Sequence, residues 1–332
     1  MRWRCRLGPS QTVLLLAIFP DMRVALAGDT MLGREVARAI AEERGPLLDP
    51  EVVAVAGAAD LFVLNLECCI SEYGAPWPAP GKPFFFRAPP EVAGLLASWG
   101  VDAVSLANNH ALDYGRRALL DTFEHLDAAG VAHVGAGRDR EAARAPRRLS
   151  VAGRAVTLVA ATDHPADYAA APGRPGVAYA DLEAGVPEWL TAACASADPT
   201  LCLVHWGPNM VAAPVPQVRR AAEQLTRAGA RLVVGHSAHV PHGAAGRVLY
   251  DVGDFLDDYA IDPVLRNDLS FLFLVDLESG DAEAVALRLE FCATRLAGRD
   301  EAAPLVERFA RACDELGGAA EIVSGRVRFA CT

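Results

Sequence analysis

The sequence predicts an α/β layered fold, and three observations carry that reading. Strand-like apolar runs alternate with helix-like stretches along most of the chain. Several of those runs stop abruptly at Asp, Glu, Asn or His. The 332 residues are 52% hydrophobic, ample for a sizeable core in one large domain or two small ones.

The elements follow in order. RVALAGD (23–29) reads as a first core strand, and MLGREVARAIAEE as the helix after it. LFVLNLE (61–67) is a second strand behind an Ala/Val-rich helical segment. VDAVSLANNH (101–110) leads into the helix RRALLDTFEHLDAAG, which stops at Gly130. VAHVGAG is a short strand and turn, and RAVTLVAAT (154–162) another strand. TLCLVHWG (200–207), the helix VPQVRRAAEQLTRAGA and the strand RLVVGHS complete the alternation. RVLYDVGDF, LSFLFLVDL and AVALRLEFC have little helix between them, which predicts antiparallel additions or a second sheet. PLVERFARACDELGG is a terminal helix, and EIVSGRVRFACT reads as a hairpin. The Pro/Ala/Gly-rich stretches 74–90 and 164–178 read as loops rimming a cleft.

Composition narrows the function. A formal charge of -11 and a pI near 5.2 exclude attraction to a phosphate backbone, so no nucleic-acid partner is expected. Lys82 is the only lysine. The eight cysteines, Cys5, Cys68, Cys69, Cys194, Cys202, Cys292, Cys313 and Cys331, form no CxxC pair and read as buried thiols. That favours a reducing, cytoplasmic location. Residues 1–21 read as a leader, a weak anchor or a misassigned start, since the apolar run Val13–Phe19 is too short to span a bilayer. Were they a leader, the protein would be secreted or membrane-associated.

Five strand ends carry chemistry: Asp29, Glu67, Asn109 with His110, His205, and His236 with His239. Ligands bind beyond the carboxyl ends of strands in open α/β sheets, so these tips are expected to converge. Carboxylate, amide oxygen and imidazole are ligands for Mn, Fe or Zn. One or two such divalent ions would activate a water for attack on a phosphate ester or an amide. His110 is the candidate proton donor, with Asp113 to orient it. Arg34, Arg87 and Trp206 are the candidate substrate contacts, the arginines for an anion. His242 is expected on the rim and outside the site. Asp257 and Asp258 read as a solvated acidic turn, Arg266 and Asp268 as a structural pair, and the phenylalanines of GKPFFFRAPP as core.

In order, GDTMLGR, NLECCIS, SLANNHALDYG, HWGPNM and GHSAHVPHG resemble the CapA family of capsule and poly-gamma-glutamate synthesis proteins, over about residues 22–275. That resemblance implies a four-layer αββα sandwich of the metallophosphatase type, similar to the calcineurin-like phosphoesterases. It implies a metallophosphatase-like domain over 22–295, with the helix and strand of 296–332 packed on it. By the same resemblance Asp29 corresponds to the first aspartate ligand, Glu67 to the bridging carboxylate, Asn109 to the amide ligand and His110 to the catalytic histidine. His205, His236 and His239 correspond to the remaining histidine ligands. Met31 stands where the wider superfamily has a histidine, and Asp254 departs from the usual GNF segment. The implied activity is metal-dependent hydrolysis of a small anionic or polyglutamate-like substrate. The alternatives are a non-catalytic component of the capsule-synthesis machinery, and an enzyme forming or cleaving amide bonds on carboxylate-rich substrates.

Overall fold

The computed structural model describes residues 22–332. The reading of residues 1–21 therefore lies outside the described residues. No described helix is long and apolar enough to cross a membrane.

Two sheets form the centre. The first is built on β1 (Arg23–Thr30), β2 (Leu61–Leu66), β3 (Ala103–Ser105) and β4 (Ala132–Val134), which pair in parallel. The second is built on β5 (Arg147–Val151), β6 (Arg154–Thr162), β7 (Thr200–His205), β8 (Leu232–His236) and β9 (Val248–Leu249). In it β6, β7, β8 and β9 run parallel, and β5 is antiparallel to β6.

The later strands return to the first sheet. The short β10 (Asp254–Leu256) pairs in parallel with β1. On that same edge of β1, away from β2, β11 (Leu269–Asp276) runs antiparallel to the start of the strand, followed by β12 (Asp281–Glu290). β13 (Ala293–Leu296) and the hairpin β14 (Ala320–Val323) and β15 (Arg326–Ala330) extend the edge beyond β12. The expected antiparallel additions thus widen the first sheet.

Strands buried on both faces read as continuous apolar runs, because each alternate residue meets a different core. On β1, Val24 and Leu26 enter the core between the sheets, while Ala25 and Ala27 face a helical layer. On β7, Leu201 and Leu203 enter the inter-sheet core, while Cys202 and Val204 face the opposite helices. One outer layer holds α1 (Arg34–Ala41), α2 (Pro50–Ala56), α3 (Glu91–Ser98) and α4 (Gly115–Ala129). The other holds α5 (Glu188–Cys194) and α6 (Pro216–Arg227). The architecture is the four-layer αββα sandwich of the metallophosphatase type. α4 ends where the sequence places its stop, at Gly130 with φ 77°.

The terminal helix α7 (Arg299–Glu315) drives Leu305, Val306 and Phe309 into the inter-sheet core. Phe309 packs on Phe271, Phe273 and Phe329 at centroid distances of 5.1, 5.6 and 5.7 Å. The seven described cysteines are free and buried.

Candidate metal centre

Strand register assembles the site. In the first sheet Asp29 lies opposite Asn65 on one side and Asp254 on the other. In the second, His205 lies opposite His236. A register shift beside Asp29 re-aims the strand end, as bulges at functional sites do. Two glycines permit the close approach. A Cβ on Gly28 would sit 1.8 Å from the Gly253 carbonyl oxygen, and one on Gly235 would sit 2.0 Å from that of Tyr250. Past β8 the chain turns through positive φ at Ser237 (107°) and His239 (62°). Such conformations cost about 1–3 kcal/mol each and concentrate at functional sites.

Two groups of buried donors result. Asp29, His239 and Asp254 form one, and Asp29, Glu67 and His205 the other, with the donor atoms in each within 4.8 Å of one another. Asp29 belongs to both groups, and Glu67 to the second alone. In the first group His239 Nδ1 lies 2.8 Å from Asp254 Oδ1 and 3.4 Å from Asp29 Oδ2. In the second, His205 Nε2 lies 3.5 Å from Glu67 Oε1. His236 Nδ1 adds a further contact, 3.2 Å from Asp29 Oδ1. Asn65 holds the two together, donating from Nδ2 to Asp29 Oδ1 at 2.7 Å with His205 Nδ1 3.4 Å away.

The fit to a cation rests on polar atoms left without partners. Glu67 Oε1, Asn109 Oδ1, His205 Nε2, His236 Nδ1 and Asp254 Oδ2 are buried, and among the described residues none of them finds a hydrogen-bond partner. Orphaned buried polar atoms are rare and costly; those of Glu67, His205 and Asp254 belong to the two donor groups and that of His236 lies against Asp29, so these four call for a common explanation. Oxygen and imidazole donors suit a divalent ion. The charges agree. Burial, with the charge of Asp29 next, pushes the Glu67 carboxyl well above its usual range. Burial likewise raises Asp254, against the pull of His239. Asp29 is lowered: burial raises it, but the adjacent His236 imidazole and the charges of His205 and His239 outweigh burial. Burial drives His205 well down, whereas His239 ends well up because Asp254, Glu67 and Asp29 overcome its burial. Three carboxylates in one dry site are in electrostatic conflict, which a divalent cation relieves.

Two stacked rings link His110 to this cluster: Phe86 lies between His110 and Tyr259, whose hydroxyl is 3.5 Å from Glu67 Oε2. The Nδ1 of His110 donates to Asp113 Oδ2 at 2.6 Å, and its ring stacks on Phe86 at 4.0 Å. Asp113 is itself held by the Phe86 N–H at 2.7 Å and the Tyr168 hydroxyl at 2.9 Å. With Nδ1 engaged, Nε2 is the nitrogen left for chemistry. Burial, the largest influence, lowers the imidazole pKa against the pull of Asp113. Of the two adjacent amides, Asn108 is structural: its Nδ2 donates to Asn65 Oδ1 at 3.0 Å and to the Leu66 carbonyl at 2.8 Å. Asn109 keeps the free oxygen.

The expected substrate contacts divide. Arg34 lies over Phe84 and Phe86, at 5.1 and 5.8 Å, beside the ring that stacks on His110. Its Nε is 3.4 Å from Asp258. Arg87 instead sits over the Tyr114 ring at 4.3 Å and donates to the Tyr73 carbonyl, so its guanidinium serves the rim loop. Trp206 does not line the cleft. It continues the Cys202–Val204 alternation into the outer helical core, and its indole N–H donates to the Tyr250 carbonyl at 3.1 Å. Period-two geometry turns it away from His205.

Other readings are also corrected. Asp257 and Asp258 are buried, not a solvated turn. Burial holds Asp257 up at about 6, and Asp258 accepts the Glu35 N–H at the start of α1. His242 is buried rather than on a rim, within 2.9 Å of the Val211 carbonyl oxygen, and outside both donor groups. Arg266 and Asp268 do pair, at 2.7 and 2.8 Å. Of the three phenylalanines only Phe86 is core, and Phe84 is exposed.

Sequence reasoning missed Asp254, Asn65 and His164. Asp254 had a signal: the Gly28–Asp29 pair recurs as Gly253–Asp254, and the two aspartates stand side by side. His164, just past the end of β6, lies 5.2 Å from His205 ring to ring.

Known proteins match this chain along most of its length. The profile of the family described as "Bacterial capsule synthesis protein PGA_cap" matches residues 23–259. The chain is 31% identical over 250 residues to a "Probable polyglutamine synthesis accessory protein" of Mycobacterium tuberculosis, covering 70% of this chain and 65% of that one. It is 27% identical over 245 residues to the "PGA biosynthesis protein CapA" of Bacillus subtilis, covering 71% and 63%. It is 25% identical over 246 residues to the "Capsule biosynthesis protein CapA" of Bacillus anthracis, covering 71% and 60%. The matched region thus spans less than two thirds of each relative's length.

Proposed function

The chain belongs to the bacterial capsule synthesis protein family PGA_cap, whose fold is of the metallophosphoesterase type, and from that premise we propose that it is a metal-dependent hydrolase in capsule or poly-gamma-glutamate synthesis. The observation that carries the proposal is the set of unpartnered ligand atoms on Glu67, His205, His236 and Asp254, gathered about Asp29. Asp29, Asp254 and His239 would hold one divalent ion, of Mn, Fe or Zn. Asp29, Glu67 and His205, with Asn109 and His236 beside them, would hold a second. A bound ion of this kind supplies a nucleophilic water at neutral pH and polarises the ester or amide under attack.

The chain's own groups do the rest. The guanidinium of Arg34 draws the anionic substrate toward the aromatic edge formed by Phe84 and Phe86. In its imidazolium form, which Asp113 favours against the burial that lowers the pKa, His110 would give the Nε2 proton to the departing group, while the Nδ1–H bond to Asp113 fixes the ring. Buried walls keep bulk water away from the reacting atoms. A gamma-glutamyl amide is the second reading of the substrate, favoured by relatives named for polyglutamine and PGA synthesis. Capsule-synthesis machinery is the partner both readings imply.

The test is elemental analysis of purified protein together with assays on an aryl phosphate and on gamma-glutamyl peptides. Expected are one or two divalent ions per chain and cleavage of one substrate class, both abolished by His236→Ala. Full activity in a metal-free preparation contradicts the proposal.

A further inference from the structure

One cation of this chain differs from the rest. The chain carries 31 lysines and arginines, and all but Lys82 are arginines. Lys82 lies in the rim loop that follows Trp77, yet its side chain is only 15% exposed. Its ammonium meets three oxygens: the Asn109 carbonyl at 2.5 Å, Asp113 Oδ1 at 2.5 Å and the Tyr168 hydroxyl at 3.2 Å. It also lies over the Tyr168 and Phe85 rings, at 5.0 and 5.7 Å.

Three donors radiating from one nitrogen match three acceptors around a point. A planar guanidinium fork cannot meet that arrangement, which accounts for a lysine here in an arginine-rich chain. The contacts bracket the catalytic segment. The Asn109 carbonyl is on the residue whose Oδ1 is unpartnered, and Asp113 is the residue that orients His110. Lys82 completes the shell of Asp113: Oδ1 receives the ammonium and the Tyr168 hydroxyl, and Oδ2 receives the imidazole and the Phe86 N–H. The rim is tied down nearby, since Trp77 packs edge-on against Tyr168 and donates to Asp167 at 2.7 Å.

We propose that Lys82 is a positioning residue whose ammonium locks residues 109–113, so that Asn109 Oδ1 and His110 Nε2 keep their aim at the metal centre. This rests on the hydrolase reading of that centre.

The test compares full-length wild type with Lys82→Ala and Lys82→Arg. Measured are metal content, thermal melting, kcat and KM on an aryl phosphate, and the His110 Nδ1–H proton resonance in ¹⁵N-histidine-labelled protein. Expected in Lys82→Ala is a fall in kcat of roughly 10- to 100-fold, the scale of a misplaced catalytic group, with KM and metal content held. The His110 Nδ1–H signal broadens, added methylammonium recovers part of kcat, and Lys82→Arg does not restore it. Wild-type kcat with an unchanged His110 signal overturns the proposal, as does a lowered melting temperature alone. Should Lys82→Ala not fold, Lys82→Arg decides: lost kcat with an intact melt supports the proposal, and wild-type kcat overturns it. A wild type that binds no metal and cleaves nothing refutes the hydrolase reading, and the His110 signal then decides the role of Lys82 by itself.

Discussion

Asp254 and His242 show how a residue's partners, more than its type, set its role. Both are buried and polar. Asp254 stands next to Asp29 with one oxygen unpaired, and so joins a group of donors that could hold a metal ion. His242 lies against a single carbonyl, and burial above all pushes its imidazole down to about 4, helped by Arg308 and Arg219. The unfolded chain regains an ordinary histidine near pH 6.5. Between these values the unfolded state holds the extra proton. This contribution to stability is therefore complete above pH 6.5 and is lost as pH falls toward 4, by roughly 3 kcal/mol. Urea melts at pH 7.5 and 4.5 are expected to differ less for His242→Gln than for wild type; equal differences would refute this. At this scale much of the candidate site was legible: Asp29, Glu67, His205 and His236 each end an apolar run with a polar group, and the structure buries all four and brings them together. Asp254 stands out in the sequence only as a departure from the GNF segment, because its three-residue strand carries no periodic signal that would aim its side chain. Trp206 was misjudged by adjacency, although alternation along β7 already pointed it away from His205.

Elements place these groups through contacts that tolerate little change. β10 reaches β1 because residue 28 has no side chain, and the Asp29 N–H then donates to the Gly253 carbonyl at 2.9 Å. Gly28→Ala puts a methyl into that carbonyl and is expected to cost about 3 kcal/mol or more. It should also abolish metal binding, by parting Asp29 from Asp254. Gly94, within α3, has nothing within 4 Å of an added Cβ, so Gly94→Ala is expected to stabilise by about 0.5–1 kcal/mol. Denaturant midpoints for the pair check both signs; a mild Gly28→Ala would mean that β10 is free to shift. The strands and helices were legible from their apolar patterns. The rim loops were legible only as loops, since nothing in a Pro- and Gly-rich run shows that Lys82 and Trp77 fold back onto residues 109–113 and 167–168.

The described residues stack as two sheets around an inter-sheet core, with a helical layer and its own core outside each sheet, and the terminal helix is part of the inter-sheet core. Phe309 joins Phe271, Phe273 and Phe329, so a chain ending at residue 296 would leave this aromatic cluster open. Such a chain is expected to aggregate, and Phe309→Ala in the full protein to lose about 3–5 kcal/mol in denaturant melts. A truncated chain with a wild-type melt would show instead that the helix is an appendage. The four-layer arrangement was legible through family resemblance. The alternation of strands established only the α/β class, because two stacked sheets and one long sheet produce the same run of elements.

The central claim is that donors from two sheets share a cation. Anomalous diffraction from crystals grown with Mn tests it most directly. The expected result is a peak within about 2.0–2.3 Å of Asp29 and of imidazole nitrogens from His205, His236 or His239. Ordered side chains with no peak among them, or a peak bound elsewhere, would contradict it.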